Sequence, residues 1–481
     1  MPPSAPGAIH RPSATVRRPA PALPGVSARQ EGDAIVLRFG TPDAGQWNAP
    51  FAAEVARLIA QCRAEGRARR VVLAGPRLFH DAPAGTRPDL APLLEALAGP
   101  GHPVLAAIPG CATGLGLELA LACHARTAPQ SALLALPAIR HGALPCHGGI
   151  AHLAALCPPQ AALELLGFGT PLPAPQARRL GLLDAVAEDP VAAALALPLP
   201  TPRPPQPRHF DPRPLQAALR RRAPGEAAPQ AALQALARAV TLPPQRARSE
   251  LREIAATLAA SPQGRALRHA AAAEAAAPPH QAALPALRWA LLREAIHLVD
   301  EGASPQQVDL ALRRFGFRTP PLAAADRDGL DHVAQACIDP RPDAWHRYSP
   351  LLDLLLDAGR TGRAAGAGWY RYTPGDPRPL PDPALAALLA ESARAACRRR
   401  HPMAEAEITA RCLAALAGEA AARIARGLPP LAADGLSLAL GFPRWRGGIW
   451  HHAQATGPAA IAARLAAMPT APAPAAPLLE A

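Results

Sequence analysis

The chain contains no lysine and a single asparagine, Asn48, among its 481 residues. All 50 basic residues are therefore arginine, and they outweigh 37 acids to give a net charge of +13. Aromatic residues make up only 4% of the chain, no zinc-finger spacing occurs, and the arginines are scattered. These absences remove the stacking platforms and groove-reading modules of nucleic-acid binders, so the basic balance reflects residue usage rich in Arg, Ala and Pro. The eight cysteines, Cys62, Cys111, Cys123, Cys146, Cys157, Cys337, Cys397 and Cys412, include no C-x-x-C pair. That excludes a zinc ribbon or a disulfide framework and predicts reduced thiols in a cytoplasmic protein. The nearest approach to a membrane span, residues 104–123, is broken by Pro109, Thr113, Glu118 and three glycines, which predicts strand, turn and helix instead. The first residues lack an apolar core and read as a disordered tail, not a signal peptide.

What is present divides the chain. From Asp33 to about Leu199, strand-like runs (AIVLRF, RVVLAG, PVLAAI, ALLALP) alternate with helical patterns (FAAEVARLIAQCRAEG, LAPLLEALAG, GIAHLAAL, QAALELLG). Such alternation predicts an α/β layered domain. A proline-rich connector, Leu197 to Pro214, follows, and everything beyond it reads as helix. Within that helical part Glu294, Gly302, Gly316 and Phe317 return as Glu419, Gly427, Gly441 and Phe442, each 125 positions later. Two copies of one helical unit, paired about a pseudo-twofold axis, are expected.

The chemistry centres on "GCATGLGLELALAC", where a strand ends near Gly110, a glycine turn follows and a helix begins near Leu115. Amides at a helix start favour negative charge and can form half of an oxyanion hole for a thioester carbonyl. Glu118, one turn in, is either a complement to the helix dipole or a catalytic carboxylate.

This stretch resembles the first catalytic segment of the crotonase (enoyl-CoA hydratase/isomerase) superfamily, which binds acyl-CoA thioesters. "RRVVLAGPRLFHDAP", "LALPAIRHGALPCHGGIAHL" and "ALELLGFGTPLPAPQARRLGLLDAV" match in family order, over residues 33 to about 190. The resemblance places the first catalytic glutamate on Glu118 and the oxyanion amides on Asp81 and Leu115. It places the second glutamate on Ala138, whose methyl group can neither take nor deliver a proton. Cys146 and His147 lie near that lost acid in sequence, and His147 reads either as a replacement acid/base or as a turn residue.

The helical part resembles multifunctional β-oxidation enzymes. "SELREIAATLAASPQGRALRHAAAAE" is similar to their linker helix, and "EAIHLVDEGASPQQVDLALRRFGFRTPP", "AGRTGRAAGAGWYRY" and "LALGFPRWRGG" are similar to the paired C-terminal domains of 3-hydroxyacyl-CoA dehydrogenase. The dinucleotide domain that this family places before the first repeat is missing: no G-x-G-x-x-G follows a strand, and the family's asparagine falls on Pro285. No cofactor is therefore expected, NAD included, and acyl-CoA is the expected substrate or ligand.

These readings imply an α/β crotonase (spiral ββα) domain followed by all-α dehydrogenase C-terminal domains. Residues 1–30 and 468–481 are expected as tails, 31–196 as the crotonase domain, 197–284 as connector and linker helices, and 285–375 and 376–467 as the two dehydrogenase-type domains. The implied activity is that of an enoyl-CoA hydratase/isomerase-type lyase with a weakened site and no dehydrogenase function; the alternative is a non-catalytic acyl-CoA-binding subunit. No nucleic acid, metal or membrane span is expected, and a β-oxidation complex partner such as a thiolase is implied.

Overall fold

The structure is a computed structural model that describes residues 26–40, 49–64, 66, 68–79, 90–99, 101–145, 147–199, 210–336, 349–395, 397 and 399–468. The expected tails thus lie largely outside the described residues. The first strand nevertheless opens at Val26, inside the stretch read as tail. Val26–Glu31 (β1) pairs antiparallel with Ala34–Phe39 (β2) through a tight turn in which Gly32 adopts φ +62°. β1 buries only Val26 and exposes a run of polar side chains, so as an edge strand it carries no apolar pattern to announce it.

By packing, the described residues fall into two compact units. The first holds those up to Ile139 together with those of Leu144–Gln216 and Ala231–Ile254; the second holds Arg140–Ala143, Ala217–Gln230 and those from Ala255 onward. The helices after the connector therefore do not form a layer of their own but are divided between the two units.

In the first unit, Arg70–Ala74 (β3), Val104–Ala107 (β4), Ala112–Thr113 (β5), Ala125–Ala128 (β6), Leu133–Ala135 (β7), Leu172–Pro173 (β8) and Ala185–Val186 (β9) build two sheets. The larger has the order β1-β2-β3-β4-β6-β9 and is parallel from β2 to β9. Val36 aligns with Val72, Val72 with Leu105 and Leu105 with Ala125, all buried, as expected where both faces of a parallel sheet are covered. Arg126, at 3% exposure, locks β6 in place: its guanidinium donates to the Leu182 and Cys123 carbonyls and to Asp184 Oδ2. The smaller sheet, β5-β7-β8, contains the ALLALP run.

The small sheet sets the start of the central helix, Leu115–Ala122. Pairing of β5 with β7 continues through the Gly114 amide, which donates to the Ala135 carbonyl at 2.9 Å, and the helix begins at the next residue. Residues 115–121 are all buried, so this short helix has no solvent face. Gly116 rests on the backbone of Phe79, and a Cβ there would lie 2.1 Å from the Phe79 carbonyl carbon. Gly116→Ala is expected to force this helix and the Pro76–Phe79 turn apart, at a cost of about 1–3 kcal/mol. Faster hydrogen–deuterium exchange across both segments of the intact chain would report it; unchanged exchange would contradict the contact.

The second unit shows the repeat in three dimensions. Helices Leu284–Glu301 and Pro305–Phe315 correspond to Glu405–Ile424 and Pro430–Ala439. Both copies turn at glycines of positive φ, Gly302 and Gly316 in one, Gly427 and Gly441 in the other. The counterpart rings of Phe317 and Phe442 meet edge to face, 5.4 Å apart, and a residue that touches its own counterpart marks a local twofold relation. Buried Arg411 ties the two long helices together, donating to Glu294 Oε1 and Glu301 Oε2 at 2.6 Å each.

One part of this unit departs from the all-helical expectation. Arg371–Thr373 (β10) and Asp376–Leu380 (β11) form a hairpin around Pro374 and Gly375. The hairpin is short and proline-bearing, with no apolar alternation, and it is held by a buried aspartate instead. Asp326 accepts from the Trp369 and Tyr370 amides at 2.8 and 2.9 Å and from the Tyr372 hydroxyl at 3.0 Å. A Cβ at Gly368 would lie 2.1 Å from Asp326 Oδ1, so this glycine of the "GAGWYRY" run serves close packing.

His452 packs against the Phe315 and Phe442 rings, at 5.4 and 5.9 Å. Burial, followed by the charges of Arg446 and His451, lowers its pKa from 6.5 to about 4. Because the unfolded ring binds its proton more readily, this contribution to stability is complete above pH 6.5 and is lost as pH falls towards 4. We expect a loss of about 2 kcal/mol over that window after discounting for the half-buried ring. His452→Gln should flatten the acid side of the stability profile measured by thermal melting between those limits.

Candidate active site

Glu118 is 4% exposed, a carboxylate inside an otherwise apolar helix. Desolvating such a charge costs several kcal/mol unless donors replace water. They do so here. Glu118 Oε2 accepts the His147 amide at 2.8 Å and the Gly149 amide at 3.0 Å, both at the start of helix Gly149–Leu156. The local sequence explains the fit: Gly148 takes φ +96° at the N-cap, and a Cβ at Gly149 would lie 2.7 Å from Glu118 Cγ. The carboxylate therefore bridges the first turns of two helices, and its position is dictated by both.

The second oxygen, Oε1, faces the imidazole of His147, whose Nδ1 lies 3.6 Å away. The His147 side chain keeps 18% of its exposure, so the pair sits at a boundary between core and solvent. A further imidazole, His152, lies one turn along the same helix. Its pKa is lowered by burial first, then by the charges of Arg126 and Arg248, with Glu118 opposing them.

The other residues singled out from the sequence distribute as follows. Leu115 is the first residue of the Glu118 helix and is buried, which puts its amide at the positive end of the helix dipole within a turn of Glu118. Ala138 is half-buried in the 3-10 turn Pro137–His141, where its methyl group leaves no second acid. Asp81 and Cys146 lie outside the described residues. Pro285 occupies the first turn of helix Leu284–Glu301, a position that tolerates the missing amide hydrogen. Sequence reasoning missed Gly149, although paired glycines opening an apolar helix are the usual mark of a close approach, and it left His147 between two roles. The structure brings His147 against Glu118.

Chemically, a fixed carboxylate beside an imidazole, with a helix-start amide one turn away, can take up and deliver protons next to a polarised carbonyl. Among the described residues no cluster of ligands could hold a metal ion and no helix is long and apolar enough to cross a membrane. Helix Pro262–Ala276 passes through the single 3-10 turn Pro278–Ala283 into Leu284–Glu301, and the only strands described there are β10 and β11, an antiparallel hairpin.

A family model for enoyl-CoA hydratase/isomerase matches residues 35–196, and one for the 3-hydroxyacyl-CoA dehydrogenase C-terminal domain matches residues 286–372. The peroxisomal bifunctional enzyme of Danio rerio is 34% identical over 191 residues, 36% of this chain and 27% of that protein. The peroxisomal bifunctional enzyme of Homo sapiens is 36% identical over 185 residues, 34% of this chain and 25% of that protein. The peroxisomal fatty acid beta-oxidation multifunctional protein MFP2 of Arabidopsis thaliana is 45% identical over 94 residues, 20% of this chain and 13% of that protein. The match thus spans about a quarter or less of the length of these relatives. The chain thus carries a region similar to enoyl-CoA hydratase/isomerase followed by one similar to the 3-hydroxyacyl-CoA dehydrogenase C-terminal domain, and bifunctional and multifunctional proteins of β-oxidation are among the proteins it resembles.

Proposed function

We propose that the protein acts on acyl-CoA thioesters as an enoyl-CoA hydratase/isomerase-type lyase whose site is weakened by the alanine at position 138, and that it transfers no hydride. The observation that carries this reading is the anchored carboxylate of Glu118, one turn from the Leu115 amide. A thioester oxygen held at that amide would leave the β carbon facing Glu118, which takes the proton of an attacking water. The family's second glutamate would normally share this work, and losing a general acid/base costs about a hundred- to ten-thousand-fold in rate. The second reading, a non-catalytic acyl-CoA-binding subunit, is favoured by Ala138, by Pro285 and by the missing dinucleotide fingerprint. A partner such as a thiolase belongs to the same proposal, through the β-oxidation relatives.

Two outcomes test it. Glu118→Gln should abolish hydration of crotonyl-CoA, and Ala138→Glu should raise turnover above that of the native chain, both followed by loss of the enoyl-thioester absorbance. A native rate typical of two-glutamate hydratases, or a Glu118→Gln variant of full activity, would refute the assignment. Hydride transfer requires a bound nicotinamide, and the direct passage of the linker helix into the first repeat supports its absence here. Calorimetric titration with NAD or NADH, with and without acyl-CoA, should give no saturable heat, and micromolar binding would refute this part.

A further inference from the structure

We infer that His147 is a second catalytic group of this site, a proton donor that takes over part of the role left empty by Ala138, less effectively than a glutamate. This rests on the hydratase reading above and deepens it. The argument begins with how Glu118 is used. Its Oε2 is committed to the amides of His147 and Gly149, while Oε1 faces His147 Nδ1 at 3.6 Å. The backbone of residue 147 thus positions the carboxylate that its own side chain accompanies, and the two groups keep a fixed mutual geometry. An imidazole 3.6 Å from a carboxylate forms an ion pair with it when protonated, so the two groups can present one acid and one base to the same pocket. Two carboxylates would need one of them protonated to do the same.

The step balances without a further reactant. Water oxygen bonds to the β carbon of the enoyl thioester, and the water proton passes to Glu118 Oε1. The carbon–carbon π pair moves towards the α carbon as the thioester enolate, its oxygen held at the Leu115 amide. The imidazolium of His147 delivers the proton on Nε2 to the α carbon, leaving a neutral ring and a 3-hydroxyacyl thioester. On product release, solvent at the partly exposed ring returns the proton from Glu118 to His147. Among the described residues, His152 on the same helix also feels the Glu118 charge, and Arg126 of β6 and Arg248 of helix Pro244–Ala260 act on that ring. Burial and the two arginines favour the neutral form of His152, so it does not compete as the acid.

The test compares the native chain with Glu118→Gln, His147→Gln and His147→Ala on short- and medium-chain trans-2-enoyl-CoA thioesters across a pH series. His147→Gln should lower kcat by about a hundredfold or more with little change in KM. The fall of native kcat on the alkaline side, where the ring loses its proton, should vanish in that variant. Added imidazole should restore part of the activity of His147→Ala. If His147→Gln keeps both its kcat and the alkaline fall while Glu118→Gln is inactive, the hydratase reading stands and His147 has no catalytic part. If kcat drops but the alkaline fall persists and imidazole restores nothing, the role is structural and the inference is overturned. If the native chain hydrates none of these thioesters, or Glu118→Gln is fully active, the hydratase reading fails and this assignment with it.

Discussion

The first unit depends on one electrostatic constraint, the burial of the Glu118 carboxylate. A charge this far from water is tolerated only where oriented dipoles replace the solvent, and the amides of His147 and Gly149 supply them. That requirement propagates outward. The segment after Leu144 must arrive with its amides facing the Glu118 helix, so Gly148 turns left-handed and Gly149 carries no side chain. The Glu118 helix must in turn press on Phe79, which makes Gly116 obligatory. Three glycines, two beside His147 and one beside Glu118, follow from a single interaction.

The second unit solves its loops by the same device without the chemistry. Asp309 and Asp434, again 125 positions apart, each cap a following helix. Asp309 accepts from the Leu322 and Ala323 amides, and Asp434 from those of Trp450 and His451. Asp326 gathers the Trp369–Tyr372 segment in the same manner. Burial raises the pKa of Asp309 and Asp326 to about 6 against the pull of these donors, so the donors lessen the cost of ionisation without abolishing it. Where the first unit turns a buried carboxylate towards a partly exposed imidazole, the second commits Asp309 and Asp326 to backbone amides and tyrosine hydroxyls.

Much of this was legible in the sequence because it follows from periodicity. The parallel strands AIVLRF, RVVLAG and PVLAAI stand where alternation with helices placed them, and the helix of Glu118 starts at Leu115. The repeat was legible as a constant spacing. What escaped was whatever rests on tertiary partners. β1 has a polar pattern because only one side is covered, and the hairpin at 371–380 is held by Asp326, 45 positions before the hairpin's first residue, with no strand propensity of its own. The contact between His147 and Glu118 joins residues 29 positions apart, and no local pattern reports it.

The two copies of the helical repeat are not interchangeable. Arg318 donates its amide to the Gly441 carbonyl at 2.9 Å, and the reciprocal bond would have to come from residue 443, which is a proline and has no N–H. Instead Pro443 packs over Gly316, where a Cβ would lie 2.9 Å from its ring. A symmetric pair of separate chains could not keep this one-sided seam, because each copy would need to be both donor and proline. Held on one backbone, the halves meet at an effective concentration set by the intervening chain and not by the amount of protein present. Dilution, which dissolves a homodimer, leaves this pairing untouched.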